Sequence, residues 1–234
     1  MTSLSLQHAL DQFNRMALRP RVRSAEQTFQ TALPAIDQLL PEGQLARGAV
    51  HEVLAPPGRG MPRFFAMLLA RSALNKGAIV WCDPKRQIYP PAMSSFGIDL
   101  ERLVLLRPKN QAEAMWAIAE CLRCPGVDAV VAAPTQLSHV EARRLQLSAE
   151  RGGAVGILLR TMGRQAVHYA AATRWLVEPA RGEAHVQRWK IQLIHGHGGQ
   201  IDRNVLLEVT RETRALRASE ALADRPPAKK TRVS

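Results

Sequence analysis

Ala49-Val-His-Glu-Val-Leu-Ala-Pro-Pro-Gly-Arg-Gly-Met-Pro62 is followed at once by a helix-patterned run with Phe65, Met67, Leu68 and Leu69. An apolar strand, a loop rich in Gly and Pro and an apolar helix in immediate succession form the unit in which α/β proteins hold phosphates at a helix N-terminus. A working loop of the form G-x-x-x-x-G-K-[ST] needs two glycines for tight turns, inward amides, a lysine for the β and γ phosphates and a hydroxyl for magnesium. Here Ala55 stands at the first glycine, Gly60 keeps the second, Met61 replaces the lysine and Pro62 replaces the hydroxyl residue. Pro56, Pro57 and Pro62 also lack the N–H that a phosphate would use. Gly58, Arg59, Gly60, Met61 and Pro62 therefore read as a degenerate phosphate loop. A guanidinium binds phosphate well, so Arg59 or Arg63 leaves room for weak ATP binding, and no cofactor is assigned.

Outward from this unit, apolar strand-like runs alternate with helical patterns, as in a mostly parallel sheet flanked by helices. The strands read are Ala49 to Leu54, Ala78 to Cys82, Leu103 to Leu106, Ala129 to Ala133, Gly156 to Leu159 and Trp175 to Val177. Asn110 stands three positions before Glu113, and Ser138 three before Glu141, so each opens a helix whose first amides it caps. The first helix stops at Cys124-Pro-Gly126 and the second at Gly152-Gly153. Met115, Ile118, Ala119 and Leu122 give the first an apolar stripe for the sheet. After Val177 the rhythm changes: Trp189, Ile191 and Leu193 alternate with polar residues, as do Val205, Leu207 and Val209, which predicts a C-terminal antiparallel hairpin. The fold class is α/β.

The chain has 234 residues, enough for one principal domain, and its 32 Lys and Arg against 20 acids give a net charge of +12. That charge suits a polyanionic partner, DNA included. Cys82, Cys121 and Cys124 are too few and too odd in number for a disulfide scaffold, which suggests a reducing, cytoplasmic address. Cys121 and Cys124 have the spacing of half a zinc site but no second pair, so no metal is assigned. Residues 1–16 lack the apolar core of about 7–15 residues that a signal peptide carries. No apolar run approaches the roughly 18 residues of a membrane span.

Leu6, Ala9, Leu10, Phe13 and Leu18 fall near helical spacing, and Arg19-Pro-Arg-Val-Arg23 follows as a basic connector. The organisation is thus an N-terminal helix and linker at 1–25, a core domain at 26–210 and a basic tail at 211–234. The tail ends in Arg225-Pro-Pro-Ala-Lys-Lys-Thr-Arg232, too polar to order itself.

As a whole, residues 31–160 resemble the RecA core in the order of their features. Thr31-Ala-Leu-Pro-Ala-Ile-Asp-Gln-Leu-Leu-Pro-Glu-Gly43 and Leu45-Ala-Arg-Gly48 look like the lead-in to the first RecA core strand. Phe96-Gly-Ile-Asp-Leu-Glu-Arg-Leu-Val-Leu-Leu-Arg-Pro108, the helix around Trp116 and Val127-Asp-Ala-Val-Val131 follow in the same order. Residues 143–160 and Arg188-Trp-Lys-Ile-Gln-Leu-Ile194 look particularly like the ImuA family, RecA-like proteins distantly similar to the division inhibitor SulA. Against an active RecA core, Asp83-Pro-Lys-Arg86 replaces the region of the catalytic glutamate, with Lys85 nearest its place. Ala132-Ala-Pro134 replaces the magnesium-binding acid. Without lysine, base or metal ligand, the charge of a phosphoryl-transfer transition state goes unstabilised, so no catalytic residue is assigned.

The resemblance implies a non-catalytic accessory protein in SOS-induced translesion synthesis, working with an ImuB-type Y-family-like protein and a DnaE2-type polymerase, with RecA a further partner. It places the protein in a bacterial cytoplasm, at the nucleoid when active. A SulA-like division inhibitor is the alternative, and a nucleotide-driven recombinase a third reading that the degenerate loop disfavours. Arg143, Arg144, Arg160, Arg164 and Arg174 are candidates for lining one end of the sheet and contacting DNA phosphates or a partner, and a solvated helix face accounts for them equally well. Self-association is left open. His195-Gly-His-Gly-Gly199 reads as a hairpin turn, and Trp116, Trp175 and Trp189 as core.

Overall fold

The computed structural model describes residues 27–40, 42–163, 171–181, 186–196, 204–210 and 216–219. The helix read at Leu4 to Leu18, the basic connector, Arg164, most of the glycine-rich stretch after His195 and the end of the tail lie outside them.

A two-stranded antiparallel sheet, β1 (Thr28–Phe29) with β2 (Leu45–Ala46), brackets the short helix α1 (Pro34–Asp37). The Asp37 carboxylate accepts from the Thr31 N–H at 2.9 Å and the Thr31 hydroxyl at 2.8 Å, which ties this entry segment into one piece. The chain then builds β3 (Val50–Ala55), α2 (Arg63–Ala73), β4 (Ala78–Cys82), α3 (Pro90–Ser94), a 3-10 turn (Leu100–Arg102) and β5 (Leu103–Leu106). After these come α4 (Gln111–Arg123), β6 (Val127–Ala132), α5 (His139–Gly152), β7 (Val155–Thr161), β8 (Thr173–Ala180), β9 (Val186–Gly196), β10 (Asn204–Thr210) and β11 (Leu216–Ser219).

Among the described residues, nine strands form one sheet in the order β11-β10-β9-β8-β3-β7-β6-β4-β5. From β8 to β5 neighbours are parallel, and from β8 to β11 antiparallel. Alternation explains where each half is buried. On β4, Ile79 and Trp81 join Phe65 and Leu69 of α2 on one face, while Val80 and Cys82 join Ile118 and Leu122 of α4 on the other. Helices cover both faces there, so the parallel strands read as continuous apolar runs. In β8 to β10, Trp175, Val177, Ile191, Leu193, Val205 and Leu207 enter only the α2-side core. The opposite positions, Arg174, Glu178, Lys190, Gln192 and Glu208, are half-buried. One-sided burial is the physical origin of the change of rhythm after Val177.

The helix ends follow the sequence. Asn110 Oδ1 accepts from Glu113 N at 2.9 Å. Ser138 and Glu141 form a reciprocal capping box, and the hydrogen bonds from Ser138 hold the Glu141 carboxyl below its usual range. Gly153 ends α5 in the left-handed region with φ 77°. Two expectations are corrected. Trp116 is 36% exposed rather than core, because it sits two positions before buried Ile118, about 200° around the helix. The sheet also runs into the segment read as a tail: β11 pairs with β10 through backbone hydrogen bonds, which ask for no apolar side chains. Among the described residues, no helix is long and apolar enough to cross a membrane.

Candidate functional site

The loop between β3 and α2 is closed on itself. Arg59 N donates to Pro56 O at 3.2 Å, and Gly58 has φ 73°. Proline second and a positive-φ glycine third is the arrangement of a type II turn, so Pro57 and Gly58 are the residues that turn demands. Gly58, Arg59 and Gly60 are exposed, Met61 is half-buried against the α2-side core, and Pro62 is buried as the residue before α2. Pro62 supplies no side-chain cap, and Arg63 N is already bonded to Met61 O at 2.8 Å. The Arg63 guanidinium donates to Gln87 Oε1 in the loop after β4.

That second loop is fixed by Asp83. Its carboxylate, 4% exposed, accepts from Gln87 N at 2.8 Å and Ile88 N at 2.9 Å. This is a turn-forming role for the only acid of the Asp83-Pro-Lys-Arg86 stretch, and Lys85 stands exposed beside it. Ala132 is the last residue of β6, and Ala133 follows it. The carboxyl ends of the parallel strands, where open α/β sheets take ligands, therefore present exposed Arg59, Arg63, Lys85, Arg86, Arg107 and Lys109.

The five arginines singled out in the sequence divide into separate groups. Arg160 on β7 and Arg174 on β8 meet at Glu52 of β3: Arg160 Nη1 donates to Oε1 at 2.9 Å and Arg174 Nε to Oε2 at 2.8 Å. Glu52 is 1% exposed. Two guanidiniums on one buried carboxylate satisfy its oxygens where an isolated charge would not persist. Arg143 and Arg144 are exposed on α5, and Arg164 lies outside the described residues. Glu52 escaped the sequence reading because its partners stand 108 and 122 positions away.

Beside it lies a neutral buried network. His51, fully buried, has Nδ1 2.8 Å from Thr173 Oγ1 and Nε2 2.9 Å from Ala46 O. A carbonyl only accepts, so Nε2 carries the proton, Nδ1 takes the Thr173 O–H, and Thr173 Oγ1 accepts from Trp175 Nε1 at 2.8 Å. Desolvation lowers the His51 pKa to about 4, offset in part by the hydrogen bond to Ala46. Burial pushes the Cys82 thiol up to about 11 and that of Cys121 to about 12, which makes both poor nucleophiles and poor ligands. Among the described residues no group of three or more His, Cys, Asp or Glu is placed to hold a metal.

A mostly parallel sheet with helices on both faces, a strand–loop–helix unit at its centre and an antiparallel extension define a RecA-like α/β protein. The chain belongs to the family of the MT3502 N-terminal domain, whose model matches residues 38–165. Protein ImuA of Caulobacter vibrioides (strain NA1000 / CB15N) is 28% identical over 189 residues, 71% of this chain and 78% of that protein. Protein RecA of Streptomyces ambofaciens is 25% identical over 152 residues, 64% of this chain and 40% of RecA. The resemblance to the ImuA family and to the RecA core, read from the residues, is thus found again by direct comparison.

Proposed function

We propose that this protein is an accessory factor in DNA-damage-induced mutagenesis that acts by binding rather than by hydrolysing ATP. The observation that carries the reading is the similarity to Protein ImuA over 71% of the chain. Three local features support the absence of hydrolysis: the closed Pro56–Arg59 turn with Met61 and Pro62 behind it, Asp83 engaged with the Gln87 and Ile88 amides, and alanines at the end of β6. The proposed partners are an ImuB-type protein, a DnaE2-type polymerase and RecA, with DNA reached directly or through them.

The test is damage-induced mutation frequency in the native host after deletion of the gene. Loss of induced mutants is expected; unchanged mutagenesis would overturn the reading and bring a division-inhibitor role forward. In vitro, purified protein is expected to show no ATP turnover above a Gly60-substituted control. DNA-stimulated turnover that the Gly60 substitution abolishes would overturn the non-catalytic part alone.

A further inference from the structure

The outward side of α4 and α5 carries apolar side chains that the core does not use. Trp116 is 36% exposed, Val140 79% and Leu147 37%. Val140, Arg144, Leu147 and Arg151 follow the i, i+4, i+7, i+11 spacing of one helical stripe. The two helices pack side by side and run in the same direction, each returning the chain between parallel strands. Their register is set where Gly152 lies against the Leu122–Arg123 backbone, where a Cβ would collide with the Leu122 carbonyl. Counting back from this contact at 1.5 Å per residue, Leu147 lies about 8 Å, Trp116 about 10 Å and Val140 about 18 Å along the helices. The three side chains are therefore exposed on the same two-helix layer, within about 10 Å of one another along its axis.

Charge follows the stripe of α5, whose positions carry arginines and no carboxylate. Among the acids of the two helices, Glu120 pairs with Arg123, and Glu113, Glu141 and Glu150 accept from the neutral Lys109 N, Ser138 and Gln146 groups. Arg143, Arg144 and Arg151 project from α5 as exposed cations. Tryptophan and arginine are among the side chains that most often carry binding energy in protein interfaces. A phosphate backbone gains nothing from Val140 and Leu147. A second copy would bring the same stripe, on which these arginines meet no carboxylate.

We propose that this α4–α5 surface docks an acidic amphipathic helix of a partner protein, its leucines over Trp116, Val140 and Leu147 and its carboxylates on Arg143, Arg144 and Arg151. The inference rests on the adaptor reading for its use in the cell, but it is tested by binding in vitro, so the two fail separately.

The experiment titrates the full-length protein into a fluorescein-labelled peptide of about 14 residues, roughly 21 Å of helix, with leucines at helical spacing and glutamates elsewhere. A scrambled peptide of the same composition serves as control. The patterned peptide is expected to bind at least about tenfold more tightly than the scrambled one. Trp116→Ala and Arg144→Glu are expected to weaken it at least about tenfold, and Arg59→Ala in the β3–α2 loop to leave it unchanged. Leu147→Ser stands in if Trp116→Ala loses cooperative unfolding. Equal affinity for the two peptides, or insensitivity to the α4 and α5 variants, overturns the proposal. So does a single-stranded oligonucleotide whose binding shows the same variant sensitivity, or a dimer that Trp116→Ala dissolves.

Discussion

Glu52 and His51 are neighbours on β3 that face opposite sides of the sheet, and their chemistries answer differently to perturbation. Glu52→Gln leaves Arg160 and Arg174 half-buried without their counter-charge, and breaking such a pair costs about 3–5 kcal/mol. Denaturant unfolding of this variant is expected to show a loss of that order. Replacing all three residues with apolar side chains is expected to cost less than the single change. His51 answers to pH. The unfolded chain takes up a proton near 6.5, whereas the folded chain holds the ring neutral down to about 4. Its contribution is therefore complete above pH 6.5 and is lost as pH falls from 6.5 towards 4, by at most about 3 kcal/mol. Unfolding free energy measured across that window should decline, and the His51 ring signals should stay those of a neutral imidazole until about pH 4. Neither residue was legible as important in the sequence. His51 and Glu52 sit in an apolar strand pattern, and Thr173, Arg160 and Arg174 are brought to them only by the pairing of β3 with β7 and β8. Arg160 and Arg174 were legible as candidates but not as partners of one carboxylate.

At the level of elements, local chemistry was readable wherever the deciding contact spans a few residues. The Ser138–Glu141 capping box, the Asn110 cap and the Gly153 end of α5 lie where the residue types demand. Ser138→Ala is expected to cost about 1 kcal/mol in global stability. Gly152→Ala is expected to cost more, although alanine is the better helix former, because its methyl group meets the Leu122 carbonyl and forces α5 away from α4. A thermal midpoint lower for Gly152→Ala than for Ser138→Ala would show that helix register, not capping, limits this layer. The same element scale explains the Trp116 correction: pattern alone marked α4 as apolar, but the angle from Ile118 decides which apolar residue is covered. The short helix Pro90–Ser94 was not read, since Pro90 and Pro91 punctuate loops as readily as they open helices.

The whole molecule joins two kinds of sheet. Its parallel half and the start of the antiparallel half were legible, because burial on two faces and on one face leave different patterns in sequence. The strand order was not, since adjacency of β3 to β7 and β8 is a property of crossovers rather than of any segment. Ending the chain at Thr210 removes β11 and leaves β10 as the edge, and light scattering at equal concentration is expected to show more association than the full chain. The central place of β3 has a consequence in time. It emerges early, yet its neighbours begin only at Val155 and Thr173, with Arg174 122 positions beyond Glu52. At about 5–20 residues per second, a ribosome leaves this strand waiting roughly 6–25 s for its second neighbour. A strand fully buried in the finished protein is thus left unpaired for much of its synthesis, and a nascent chain that stalls before Thr173 still lacks one of its two neighbours.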